Sequence, residues 1–157
     1  MIKDLLSLEK NISEEMLINN NLLLNNVKNI LLSYSGDDWK NYVELSSTKY
    51  LKTNVCQTEL YDMYVITWDK NQVSPIHDHS KNGCIYKILE GKIIENIYDK
   101  KLNLRYKNIV QKNDCGCISN DLGYHSMNNS YDDICVSLHV YSPPNHKTKY
   151  FNNEFRN

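Results

Sequence analysis

Alanine is missing altogether from this 157-residue sequence, arginine occurs only as Arg105 and Arg156, and proline only three times. With 18 basic side chains against 19 acidic ones the formal charge is −1, and no dense lysine run compensates for the lack of arginine. Binding a phosphate backbone needs a concentrated cationic face that releases counterions, so nucleic acid is excluded as a main partner. Long hydrophobic runs are missing too. Stretches such as Leu22-Leu23-Leu24 and Tyr64-Val65-Ile66 are a few residues long, against the ~20 a membrane-spanning helix requires. The opening MIKDLLSLEK carries Asp4 and Glu9 where a signal peptide needs an apolar core, and no small-residue cleavage site follows it, so a cytoplasmic protein is expected. The five cysteines, Cys56, Cys84, Cys115, Cys117 and Cys135, are odd in number and lack framework spacing, which suits free thiols in a reducing compartment. The abundant asparagine and absent alanine are compositional bias without functional content.

What is present describes one globular unit. At this length a compact fold hides roughly 70% of the surface of its unfolded chain, enough for a core without disulfides or extra subunits. A single domain over residues 1–157 is expected, mainly helical over 1–45 and mainly β over 46–157, with a monomer as the default. Apolar residues from Met16 to Leu31 recur at three- and four-residue spacings, which predicts an amphipathic helix from Ser13 to Leu32. Shorter helical turns are expected at residues 3–9 and around Asp37–Leu45. After Tyr50 the period changes. Residues 63–68, 84–89, 92–98 and 135–141 are short β-branched or aromatic stretches separated by turn formers such as Asp69-Lys70-Asn71 and Glu90-Gly91. This pattern predicts a small antiparallel β-barrel or sandwich behind the helical segment.

Chemistry concentrates in the histidines, of which there are five. In Pro75-Ile76-His77-Asp78-His79 two imidazoles at i and i+2 share a face if the backbone is extended. A lone His-x-His is equally compatible with two surface or core histidines. A third, His125, follows a glycine turn in Gly123-Tyr124-His125-Ser126-Met127-Asn128-Asn129. Three neutral imidazoles leave open coordination positions, as in non-haem Fe(II) sites, and zinc with a bound water fits the same ligands. Cys115-Gly116-Cys117 lacks a partner pair at zinc spacing and reads as a turn.

The spacing His77-x-His79, Cys84 and Gly91, with Gly123-x-His125-x-x-x-Asn129 further on, resembles the two cupin motifs, with Cys84 standing where most cupins carry a glutamate ligand. Together with Ser137-Leu138-His139-Val140-Tyr141-Ser142-Pro143-Pro144, it resembles type I cysteine dioxygenase from about Trp39 to Pro144, supported by Trp39-x-x-Tyr42 and Trp68. The resemblance implies a cupin jelly roll in which His77, His79 and His125 hold Fe(II). It also implies a thioether cofactor joining Cys84 to Tyr141, a hydrogen-bonded chain of Ser137, His139 and Tyr141, and a cis Ser142-Pro143 bond. The implied reaction takes L-cysteine and O2 to cysteine sulfinic acid without an organic cofactor.

One position departs from the family. Its substrate carboxylate meets an arginine two residues after a tyrosine; here Tyr50 and Lys52 take those places, given a one-residue deletion before Trp68. Lysine neutralises a carboxylate as a point charge, without the planar fork of a guanidinium. A different small thiol, 3-mercaptopropionate or cysteamine, is therefore the rival within the enzyme class. A cupin that binds metal as a sensor without turnover is the rival from another class, and the pairing of Cys84 with Tyr141 argues against it. The stretch from Asn145 is shorter than the family's usual tail, which raises the question of what covers the pocket mouth.

Overall fold

The computed structural model describes residues 1–18 and 24–151. Helix α1 spans Leu5–Ile18. Asp4 caps it, its carboxylate accepting the Ser7 backbone N–H at 2.7 Å and the Ser7 hydroxyl at 3.0 Å. Leu5, Leu8, Ile12 and Met16, at three- and four-residue spacing, form its buried stripe. A 3-10 turn at Leu24–Val27 leads into α2, Lys28–Ser33, and a second turn at Asp38–Tyr42 buries Trp39.

The expected single helix from Ser13 to Leu32 is thus two elements: residues 13–18 close α1 and Leu31 belongs to α2, while 19–23 lie outside the described residues. Both elements present apolar residues at helical spacing, so the period carries no sign of where one ends.

Among the described residues ten strands follow: β1 Leu51–Gln57, β2 Asp62–Trp68, β3 Ile76–His77, β4 Cys84–Glu90, β5 Lys92–Tyr98, β6 Leu104–Gln111, β7 Cys115–Ile118, β8 Tyr124–Asn128, β9 Cys135–Tyr141 and β10 Tyr150–Phe151. They form two antiparallel five-stranded sheets, β1-β2-β9-β4-β7 and β10-β3-β8-β5-β6. Cys115-Gly116-Cys117 is not the expected turn. It is the body of edge strand β7, with Gly116 opposite Tyr86. A Cβ there would run into the Tyr86 ring, so the glycine makes room for an aromatic neighbour.

The first sheet is buried on both faces. Outward, Met63, Val65, Ile85, Leu138 and Val140 pack under the helices against Leu8, Ile12, Met16, Val27 and Leu31. Inward, Ile66, Trp68, Tyr86 and Ile88 meet Ile93, Val110 and Met127 of the second sheet. Six of the seven β9 residues are therefore buried, which explains why that strand reads as nearly continuous apolar sequence rather than as an alternation. Among the described residues no helix is long and apolar enough to cross a membrane.

Candidate metal centre and active site

The inward face of the first sheet holds the candidate residues because strand pairing stacks them in rows. In register, Cys84 of β4 lies opposite Tyr141 of β9, Tyr86 opposite His139, and Ile88 opposite Ser137. On the other side of β9, His139 pairs with Tyr64 and Ser137 with Ile66 of β2. Alternation along β9 points Ser137, His139 and Tyr141 the same way. The side chains make the chain of hydrogen bonds expected of them: Trp68 Nε1 donates to Ser137 Oγ at 3.0 Å, Ser137 Oγ lies 2.9 Å from His139 Nε2, and His139 Nδ1 lies 3.3 Å from the Tyr141 hydroxyl. Tyr86 stacks on the His139 ring, centroids 5.1 Å apart. The Cys84 thiol sits 3.6 Å from His139 Nδ1.

The second sheet supplies the three histidines. His77 of β3 pairs in register with His125 of β8, and Tyr150 of β10 pairs with His77 from the other side. His79 lies just past β3, so no strand ladder fixes it. The Asn120 side chain does so, accepting the His79 backbone N–H at 2.9 Å and donating to its carbonyl at 2.7 Å. One ligating atom from each imidazole lies within 4.8 Å of the others.

Tautomers follow from the outer partners. His77 Nδ1–H donates to the Pro75 carbonyl at 2.8 Å, and His125 Nδ1 is 2.7 Å from the Glu95 carboxylate. Both arrangements leave Nε2 with its lone pair toward the cluster. Burial drives all three imidazoles to low pKa, most strongly at His79 and His125, where neighbouring histidines add to the effect. They are neutral donors. His79 Nε2 and His125 Nε2 face one another at 3.0 Å, and His79 Nδ1 is buried without a hydrogen-bond partner. His79 Nε2–H donates to the His125 Nε2 lone pair at this distance, and moving that proton to the unpartnered Nδ1 frees both Nε2 atoms for one shared cation. Nitrogens ~2.1 Å from one ion and at right angles around it lie about 3.0 Å apart. The residues fit a metal ion.

A small cavity of about 40 Å³ reaches this cluster, with Tyr50, Lys52, His77, His139, Tyr141 and Tyr150 in its wall. Every candidate side chain but four contributes directly to that wall; Cys84, Ser137, His79 and His125 stand behind it. Tyr50 stacks on Trp68 at 4.4 Å, and burial with the nearby Tyr150 phenol pushes its hydroxyl up to about 12. Burial likewise raises the Tyr141 phenol and the Cys84 thiol, the latter opposed by the Lys52 charge. The Ser142-Pro143 bond is cis, as expected. The pocket mouth is answered as well: Thr148 and Tyr150, on the segment after Pro144, complete its wall. Asp78 ties that segment down, accepting from the Lys149 N–H at 2.8 Å and lying 2.9 Å from His146 Nε2.

Sequence reading missed Glu95, Tyr86, Asn120 and Tyr150. Only Glu95 left a usable sign. It shares strand parity with buried Ile93 and Ile97, which marks a carboxylate aimed inward.

Residues 5–154 match the sequence profile of the family described as cysteine dioxygenase type I. This chain belongs to that family. A zebrafish (Danio rerio) relative, cysteine dioxygenase type 1, is 31% identical over 129 residues, covering 75% of this chain and 64% of the relative. The aligned part therefore spans less than two thirds of that relative's length. Among solved structures, a conserved Klebsiella pneumoniae protein with a double-stranded β-helix domain superposes with a TM-score of 0.62 at 16% identity, covering 71% of this chain and 86% of that one. A cupin-superfamily protein from Desulfitobacterium hafniense gives 0.54 at 11% identity, with 69% and 90% covered. These likenesses establish the fold as a cupin, the expected mainly-β jelly roll with helices at its N-terminal side.

Proposed function

We propose that this member of the cysteine dioxygenase family oxidises L-cysteine with O2 to cysteine sulfinic acid at an iron ion held by His77, His79 and His125. The observation that carries this reading is one cavity whose wall holds Tyr141, Lys52 and His77, the last belonging to a neutral three-histidine cluster with His79 and His125. Bound iron would supply the Lewis acidity that makes a thiol a thiolate at neutral pH and the access to O2 that no side chain here has.

The chain's own residues provide the rest. Neutral imidazoles leave the ion's charge undiminished for an anionic ligand. Lys52 and Tyr50, both in the cavity wall, receive the substrate carboxylate. Tyr141 directs its hydroxyl at the reacting sulfur and oxygen, and His139, itself held by Ser137, fixes where that hydroxyl points. The walls of the cavity keep bulk water away from the sulfur. Both atoms of O2 end on sulfur, RSH + O2 giving RSO2H, so the stoichiometry needs no external reductant.

The Cys84–Tyr141 thioether belongs to the same reading. The two residues are cross-strand partners, and forming the S–C bond removes the thiol hydrogen and one ring hydrogen, with O2 as acceptor of two electrons and two protons. A faster-migrating band in denaturing gels, resistant to reductant and missing from Cys84→Ser, is the expected sign.

The test is direct. Protein loaded anaerobically with Fe(II), then given L-cysteine and air, should release a product two oxygen atoms heavier by mass spectrometry. Iron-loaded protein that yields sulfinate from 3-mercaptopropionate or cysteamine but not from cysteine overturns the substrate; no product from any thiol overturns the reaction.

A further inference from the structure

Lys52 occupies an unusual place. Its Nζ lies 4.0 Å from the Tyr64 ring centroid and 4.1 Å from that of Tyr141. Among the described residues no carboxylate comes within ion-pair distance of it. The ammonium is therefore in contact with two π faces, which attract the cation without neutralising it, while Asp62 and Cys84 act on it only through space. Its charge is left over for an anion entering the cavity.

Tyr64 is itself well fixed. It lies opposite His139 on one side and Asn54 on the other, and its ring stands edge-on to Tyr141, centroids 6.0 Å apart at 74°. An unrestrained lysine head sweeps a wide volume and gives up rotamer entropy when it is ordered. A guanidinium loses less because its fork is preorganised. In this chain a ring does the ordering instead.

We propose that Tyr64 is a positioning residue of the carboxylate subsite: with Tyr141 it clamps the Lys52 ammonium in place, and so sets the preference for thiols that carry a carboxylate. The proposal rests on the cysteine-oxidising reading and adds the residue that lets lysine serve there. Tyr64 has no reacting atom to touch. Its action passes through Lys52.

The experiment compares parent protein with Tyr64→Phe and Tyr64→Leu, all loaded with Fe(II). Cysteine binding is measured anaerobically by calorimetry, and KM and kcat are measured for L-cysteine and for cysteamine, which lacks the carboxylate. A cation–π contact of this kind corresponds to about three- to tenfold in affinity. Tyr64→Leu should weaken cysteine binding and raise its KM by that factor, with the change concentrated in KM, and reduce the preference for cysteine over cysteamine equally. Tyr64→Phe, which keeps the π face, should stay within about twofold of the parent. Should the leucine variant fold poorly, Tyr64→Met removes the ring with a more adaptable side chain. A ringless variant that binds cysteine like the parent, or loses cysteine and cysteamine alike, overturns the proposal while the functional reading stands. A parent that neither binds nor oxidises cysteine overturns the functional reading, and this one with it.

Discussion

Glu95 places a buried carboxylate 2.7 Å from His125 Nδ1, so the imidazole is held in one tautomer and one rotamer. Outer partners of this kind commonly account for 10- to 100-fold in metal affinity. Glu95→Ala is expected to weaken Fe(II) binding by about that factor, read by metal titration, whereas His77→Ala should abolish stoichiometric iron and turnover together. Ser137 acts one step further out. Its hydroxyl bridges Trp68 and His139, and Ser137→Ala should lower kcat about fivefold, the equivalent of one ordinary hydrogen bond, with little change in KM. At this scale much was legible in the sequence. The three histidines stand out by their spacing, and Cys84, Tyr141, His139 and Ser137 come from the resemblance of their motifs to type I cysteine dioxygenase. Asn120 and Tyr86 were not legible, because their importance comes from chain segments that meet only after folding: Asn120 clamps a backbone 41 residues away in sequence, and Tyr86 matters through the ring it stacks on.

Among the elements, β7 shows how a strand can hide in the sequence. Four residues with a central glycine carry too little periodicity to separate a strand from a turn, and what decides the matter is a partner strand, β4, some thirty positions earlier. Gly116→Ala should force the Tyr86 ring off His139 and cost about 1–3 kcal/mol, visible as a lowered urea midpoint. Turns were easier to place because their signals are local. Between β5 and β6, Asp99 accepts from the Lys101 and Asn103 N–H groups, both at 2.9 Å, and these bonds with the Arg105 charge hold its carboxyl down to about 2. The unfolded carboxyl titrates near ~3.9. A lowered folded value means that the turn is stabilised above that pH and loses the contribution as pH falls toward 2. Titration by carbon NMR should find the Asp99 midpoint near 2, and Asp99→Asn should lose the acid-dependent part of the turn's stability.

For the molecule as a whole, the first sheet serves two partners at once. Its outer face binds the helices, its inner face carries the chemistry, and side chains of odd and even position along β2, β4 and β9 are divided between them. Leu8→Ala, in the helix layer, is expected to cost about 2–5 kcal/mol in urea unfolding while iron stoichiometry holds at the parent's value. The helical segment and a small antiparallel barrel or sandwich are readable from the change of period after Tyr50, and the jelly roll from the resemblance to the cupin motifs. The break between α1 and α2 is not, since both halves obey the same spacing. That division of each strand has a consequence for how such a chain can diverge. Point substitutions on one face leave the other alone, so the helix contacts are free to drift while the reactive set persists. Gaining or losing a residue inside β9 would exchange the two sets wholesale. Length changes are tolerated only where a kink can absorb them, and β1 has one, a register shift between Asn54 and Cys56. It lies between Tyr50 and Trp68, the stretch in which matching Tyr50 and Lys52 to the family's tyrosine and arginine requires a one-residue deletion.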